Sequence, residues 1–587
     1  MAEEAKWTKA APGLEGAGVG GSASPQASCG STADAAALDG LLSRRRFLQL
    51  AGLGAVGCAS AALLGGCSGT SGSGANPGGD DASQVVVTMT TSSEPAAGFD
   101  PLFSWGCGEH VHEPLIQSTL FTTDADLNFV NDLATSYECS EDGLTWTFGI
   151  RDDVTFTDGE PLTARDVAFT INGINANPAS EADLSMVEEA VAVSDTVVEL
   201  HLSKPFNAML YTLAVVGIVP EHAYDPATYG ANPIGSGRYM LEQWDRGQQV
   251  ILRANPDYYG ERPLMERVVV VFMEEDASLA AAQSGQADIA YTAATLVDAA
   301  NPTGYSVLNC ASVDSRGISL PAIPSGAAKD DGGQTYAAGN DVTCDEALRR
   351  AINLGVDRAS LIENVLNGYG TEAYSVSDAM PWFNPAMKVE CDPAAATALL
   401  DEAGWAMGAD GVREKGGVRA AFSCYYSASD SVRQALANEF ANQMAPLGIQ
   451  VTPVGSGWTT DADGIYAHQY TDPVLWGWGS NSPVEVYSLH YGSSSGNYAC
   501  YDNAAVDAHL DAALASTTVE SSYPEWQAAQ WDGQNGFAPQ GAATWVWLCN
   551  VDHLYFKRDG LVVARQKPHP HGHGWSLVNN VDRWYWE

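Results

Sequence analysis

The chain has 587 residues, with 72 Asp and Glu against 28 Lys and Arg, giving a formal net charge of −44 at pH 7. Hydrophobic residues make up 45 % and aromatic residues 9 %, so a large core can be buried, and the length exceeds one compact domain. These figures exclude disorder of the whole chain, and they exclude a body that binds nucleic acid or anionic lipid, since each needs a basic surface to neutralise phosphates.

The first 66 residues hold five acids and five bases, so the acidity belongs to the body of the chain beyond them. Ser43-Arg44-Arg45-Arg46-Phe47-Leu48-Gln49 precedes an apolar, Gly/Ala-rich stretch from Leu50 to Leu64. That is the charged start and short apolar run of an export signal, too short to span a bilayer comfortably. Its paired arginines and Phe-Leu resemble the twin-arginine signal. Leu64-Gly65-Gly66-Cys67 resembles a lipobox, which implies lipidation of Cys67, and a Ser/Gly-rich tether runs from Ser68 to Gly79. Cys29 and Cys58 lie in the leader. The body adds Cys107, Cys139, Cys310, Cys344, Cys391, Cys424, Cys500 and Cys549, an even number that permits disulfides outside the cytoplasm.

From Ser83 onward strand and helix signals alternate, the pattern of an α/β protein. Gln84 to Met89 is a first strand, rich in β-branched residues. Asp142-Gly143 and Asp158-Gly159 are hairpin dipeptides that flank the alternating Trp146, Phe148 and Ile150. Thr163 with Asp166 predicts a capping box opening a helix that buries Val167 and Ile171. Asp276 is expected to cap a helix ending at Gly285, followed by a strand over Asp288 to Tyr291. Thr343 to Glu346 reads as a second capping box, Asp357 as the cap of a helix stopped by Gly368, and Asp392-Pro393 as the start of one closed by Gly404. Val432, Leu436, Phe440 and Met444 share one helix face, and Pro446-Leu447-Gly448 turns the chain into the strand at Gln450 to Thr452.

Several ordered motifs then carry a family resemblance. They include Leu133 to Tyr137, Glu141 to Phe148, Arg151 to Val167, Pro233 to Tyr239, Asn255 to Gly260, Gln283 to Ile289, Ala347 to Val365 and Asp392 to Trp405. Together they resemble the peptide/nickel solute-binding proteins of ATP-binding-cassette importers, the family-5 oligopeptide- and dipeptide-binding-like group. The resemblance implies an α/β, two-lobed periplasmic-binding-protein fold (class II, large cluster C type) with a ligand cleft between the lobes. It places a signal peptide at 1–66, a tether at 67–82, lobe I at 83–312, lobe II at 313–537 and the return of lobe I at 538–587. The hinge crossings are expected near Ser312 to Ile318 and near Ala538 to Trp545.

Val474 to Tyr487 is similar to the family's cleft segment in lobe II. Trp476 and Trp478 alternate on one strand face, as a ligand wall or as ordinary core packing, Gly477 and Gly479 allow close backbone approach, and Ser480, Asn481, Glu485 and Tyr487 come after them. Dipeptide-binding relatives carry an aspartate here for the ligand amine. This chain offers Ser480, Asn481 and Ser482, with Glu485 as a displaced amine anchor or a solvated helix-face charge. Glu94 and Trp105, in the loop after the first strand, are further candidate contacts. Nickel-chelate relatives use a histidine in this segment, absent here between His468 and His490. Metal capture therefore falls to His110 and His112 or to His569, His571 and His573, the latter trio otherwise being a Pro/Gly-rich surface turn.

No H-E-x-x-H or P-loop motif is present, and an exported hydrolase is the remote alternative. The expected protein is not an enzyme and needs no cofactor. It is a lipid-anchored, extracytoplasmic, monomeric receptor that binds a peptide or similar small polar solute, or a nickel or metal chelate as the alternative. It delivers that solute to an ABC permease with its ATPase subunits, touches the membrane only through its anchor, and binds no nucleic acid.

Overall fold

The β-branched run Gln84–Met89 forms a strand as its composition requires, paired in parallel with Arg267–Phe272 in the register Gln84 opposite Arg267. This pairing is seen in the computed structural model, which describes residues 82–587 apart from 104, 106–112, 178, 181, 183, 299–301, 332 and 573. The expected signal, tether and lipidated Cys67, together with Cys107, His110, His112 and His573, lie outside the described residues.

A seven-stranded sheet is built around that pair. Its order is Tyr305–Cys310, His553–Arg558, Ile289–Thr292, Gln84–Met89, Arg267–Phe272, Gln249–Ala254 and Tyr239–Asp245, so the start and the late part of the chain share one sheet. Asp288, fully buried, ties three neighbouring strands together: the Val86 N–H donates to its Oδ2 at 2.9 Å, and Arg558 Nε lies 3.1 Å from its Oδ1.

A second, antiparallel sheet orders Ala134–Cys139, Thr145–Ile150, Val197–Leu202 and Val187–Ser194. Trp146, Phe148 and Ile150 point inward as the alternation predicts, and Gly143 turns with φ +71° where a side chain would be strained. The helix Ala164–Ala176 packs on this sheet and starts at a true capping box, with the Asp166 carboxylate accepting from the Thr163 N–H at 2.8 Å.

The third sheet orders Gly370–Glu372, Trp545–Val551, Ser315–Ser319 and Leu475–Trp478. The strand Ser315–Ser319, within and just beyond the first expected crossing, pairs antiparallel with Trp545–Val551, which begins only at the last residue of the second expected crossing, after a run of bends and turns. Helices Glu346–Gly355, Arg358–Leu366, Pro393–Glu402 and Ser431–Met444 surround the parallel pair Ala421–Ser427 and Gln450–Ser456. Asp357, Asp392 and Asp430 cap three of these helices with their carboxylates.

Two expected caps are corrected. The helix from Glu346 is capped by Asp345, whose carboxylate accepts from the Leu348 N–H, while Thr343 turns inward and donates to the Pro321 carbonyl. The helix Glu275–Gln283 begins two residues earlier than expected, with Glu274 at the N-cap position and Asp276 in its first turn. The seven described body cysteines are free thiols, and burial pushes those of Cys310, Cys424 and Cys549 up to about 12. Among the described residues no helix is long and apolar enough to cross a membrane.

Replacing Thr163 by Ala removes the box's side-chain acceptor and is expected to cost about 1 kcal/mol, read as a shift of the denaturant midpoint at unchanged slope. Equal midpoints would show that the capping box contributes nothing to stability.

Candidate functional site

The third sheet has two chemically different faces, which arise from period-2 alternation along its strands. Leu475, Ile318, Val546 and Leu548 enter an aliphatic core with Leu348, Ile352, Leu436 and Phe440. Trp476, Trp545 and Trp547 point the other way, into the core that also holds Leu133, Phe148 and Ile171 of the N-terminal sheet. Gly317 lies opposite both Trp476 and Trp547, and a Cβ there would come within 2.4 Å of the Trp547 ring, so only glycine lets that ring lie across the strand.

Aromatic rings pave this second face. Tyr498 stacks on Trp476 at 4.3 Å between centroids, Trp458 lies 5.4 Å from Trp476, Trp478 lies 6.3 Å from it, and Trp545 stacks on Trp547 at 4.8 Å. The indole N–H groups of Trp476, Trp478 and Trp545 are buried without a hydrogen-bond partner among the described residues. Buried donors are nearly always paired in native proteins, and three orphans on one sheet face require an explanation.

At one end of the sheet sits a buried charge cluster. Asp314, 2 % exposed, is gripped by the Arg316 guanidinium on the same strand edge; His571 Nδ1 donates to its Oδ1 at 2.7 Å and His553 Nε2 to its Oδ2 at 3.0 Å. Burial alone would raise the Asp314 carboxyl, but Arg316 and the two imidazoles hold it well below the usual carboxylate range. Arg433 pairs with Asp430 at 3.0 Å and lies over the Trp458 ring at 5.6 Å. Gly477 fits beneath these groups because a Cβ would approach Arg433, His571 and Arg316 within 2.5, 2.7 and 2.8 Å.

The C-terminal segment locks onto this end. His569 donates its N–H to the Ala311 carbonyl and accepts from Val313, and the His571 N–H donates to the Gly479 carbonyl at 2.6 Å. His569 Nδ1 lies 3.1 Å from His553 Nδ1 and its Nε2 lies 3.2 Å from Gln566. The surface-turn reading of this histidine segment is therefore corrected. His569 is buried and His571 half-buried, with their rings engaged by protein groups, and desolvation depresses both imidazoles. Among the described residues no group of three or more His, Cys, Asp or Glu could hold a metal ion.

Beyond Trp478 the chain turns at Gly479, whose φ of +142° and 1.9 Å approach of a would-be Cβ to the Val313 carbonyl admit only glycine. Glu485 is half-buried and turned back onto its own loop: its two oxygens accept from the N–H groups of Gly479 at 3.1 Å and Ser480 at 2.7 Å. Burial pushes its carboxyl up to about 7 despite those bonds. Ser480 closes the same turn through its hydroxyl and the Ser482 carbonyl, Asn481 Oδ1 is buried without a partner among the described residues, and Tyr487 stacks on Tyr491 at 4.3 Å.

Trp105 and Glu94 are placed elsewhere. Trp105 packs edge-on against Phe99 and Trp575 in the core of the seven-stranded sheet, and Glu94 accepts from the Trp244 indole and the Gly247 N–H. The structure brings Trp476, Trp478 and the Ser480 to Tyr487 turn together and adds Asp314, Arg316, Asp430, Arg433 and His553, which sequence reasoning did not single out. The alternation of Asp314 and Arg316 within the expected hinge stretch was the available signal.

Asp314→Asn leaves a buried guanidinium without its counter-charge and is expected to destabilise the chain by about 3–5 kcal/mol in denaturant unfolding; a cost under about 1 kcal/mol would show that the cluster is solvated. For Glu485, a folded-state pKa raised above 4.5 favours the fold below that pH, and this contribution is lost as pH rises through about 7. Wild type should lose up to about 3 kcal/mol relative to Glu485→Gln between pH 5 and pH 8. Parallel stability curves for the two proteins would contradict the buried-carboxyl reading.

Comparison with known proteins bears on this arrangement. Bacterial extracellular solute-binding proteins, family 5 (middle), match residues 128–499. Protein XP55 of Streptomyces lividans is 33 % identical over 504 residues, covering 82 % of this chain and 86 % of that protein. Two solved structures share the fold: NikZ from Campylobacter jejuni in complex with Ni(L-His), with a TM-score of 0.71, 22 % identity and coverage of 86 % of this chain and 99 % of that one, and AppA from Bacillus subtilis in complex with a nonapeptide, with 0.67, 23 % and the same coverages. A two-lobed α/β fold with a tryptophan-faced sheet is thus joined to a match over most of the chain, and the protein belongs to the family-5 bacterial extracellular solute-binding proteins.

Proposed function

We propose that this protein is the extracytoplasmic receptor of an ABC importer, taking a peptide or similar small polar solute against the tryptophan face and delivering it unaltered to the permease and its ATPase subunits. The observation that carries this reading is the set of three unpartnered buried indole N–H groups on one sheet face. A bound solute presenting carbonyl, hydroxyl or carboxylate oxygens would satisfy them, and aromatic walls with few polar groups are the usual composition of a small-molecule site. Trp476, Trp478 and Asn481 are the contacts this reading favours, with Ser480, Glu485 and Tyr487 shaping the turn behind them. In this reading residues 83–312 with 538–587 form one lobe, 313–537 form the other, and the two close around the solute. Cys67 carries the lipid anchor, and the receptor acts as a monomer without catalysis.

A nickel or metal-chelate ligand is the second reading, supported by the shared fold with NikZ. His569 and His571 lend it no free donors, since their rings bind Gln566, His553 and Asp314.

Native mass spectrometry of the purified protein, followed by titration calorimetry with trialanine and with Ni(L-His), tests both. A co-purifying solute displaced by trialanine at one-to-one stoichiometry is expected. Heat with Ni(L-His) alone would favour the second reading, and peptide fragments appearing on incubation would overturn the receptor account in favour of a hydrolase.

A further inference from the structure

The helix Ala504–Leu514 ends with the carbonyls of its last turn facing a distant part of the chain. Terminal carbonyls form the negative pole of a helix and favour donors, and Ala513 already accepts from the Ala515 and Ser516 N–H groups that follow it. Asn207, 4 % exposed, supplies two. Its backbone N–H donates to the Leu514 carbonyl at 3.1 Å, and its side-chain Nδ2 donates to Ala513 at 2.7 Å and to Thr518 at 3.4 Å. The residues joined are 306 positions apart.

Asn207 sits in the connection that leaves the second sheet after Val197–Leu202 and enters the short helix Met209–Leu213. From that helix Tyr211 reaches across as well: its ring meets Trp382 edge-on at 6.0 Å, and Trp382 in turn meets Tyr523 of the helix Val519–Gln530 at 6.2 Å. Pro205 and Phe206 face Ala515, Ser516 and Thr517 across a small pocket that Trp146 also lines. None of these residues belongs to the Asp314 cluster, so the N-terminal sheet and the helical pair are joined independently of it.

We propose that Asn207 is a clasp between lobes: a positioning residue whose paired donors cap the helix Ala504–Leu514 and hold the cleft shut over the tryptophan face. The inference rests on the two-lobe closure proposed above. Asparagine suits the position because it offers a backbone and a side-chain donor to neighbouring carbonyls, whereas an isosteric aspartate would set a carboxylate against the negative helix end. Removing the side-chain donor should lower the closed-to-open ratio roughly tenfold, the effect of about one hydrogen bond to a buried acceptor.

The test is small-angle scattering combined with hydrogen exchange on the purified full chain, comparing wild type with Asn207→Ala and Asn207→Asp. The expected result is a larger radius of gyration and roughly tenfold faster exchange over 205–213 and 511–523 in the alanine variant. The aspartate variant should show more of both, while the sheet amides of Thr145–Ile150 keep wild-type protection. Unchanged dimensions and exchange in both variants would overturn the clasp. So would exchange that rises equally through Thr145–Ile150, because Asn207 would then serve general stability. Solute capture is read separately by mass spectrometry of the same samples. A variant that opens while wild type carries no solute would sustain the clasp and defeat the receptor reading, and the reverse pattern would do the opposite.

Discussion

Asp314 remains ionised in the interior only because Arg316, His553 and His571 surround it, and much of the site's geometry stems from that one requirement. A carboxylate so buried needs its partners in fixed places. Meeting the need draws the strand Ser315–Ser319, the start of His553–Arg558 and the C-terminal segment at His569 to His571 to a single point. Through the His571 N–H that segment also holds the Gly479 carbonyl, fixing the end of the strand that carries Trp476 and Trp478. The tryptophan face therefore rests on a rigid support, and the energetic cost of its unpaired indoles can be borne without the sheet rearranging.

Much of the scaffold was legible because it is locally determined. The strand Gln84–Met89, the Thr163 box and the carboxylate caps at Asp357 and Asp392 each depend on residues close together in the chain. Asp345 shows where local reading slips: two side chains two positions apart could each begin the helix, and the inward bond of Thr343 to Pro321, 22 residues away, decides between them. The site is harder to read for the same reason on a larger scale. His553 and His571 meet Asp314 across 239 and 257 residues, and no periodicity encodes such meetings. Trp476 and Trp478 were visible as a strand-face pair, whereas Trp545 joined them only once the sheet order was known. Glu94 and Trp105 had the right local setting, a loop after a first strand, yet their partners are Trp244 and Phe99 in another core.

The two faces of the central sheet divide its work. Leu475, Ile318, Val546 and Leu548 supply apolar burial, which is non-directional and tolerant of detail. The aromatic face packs in one core with the N-terminal sheet and carries directional indole donors, and specificity of recognition belongs with such directional groups. The contacts of Asn207 and Tyr211 draw the same two bodies together at a different place, so the aromatic face is bounded by the Asp314 cluster and by the clasp.

The account's central claim is that the tryptophan face receives the solute. A crystal structure of the protein with its co-purified solute tests it most directly: solute oxygens should lie about 3 Å from Nε1 of Trp476, Trp478 or Trp545. Solute density elsewhere, with all three indoles still unpaired, would contradict it.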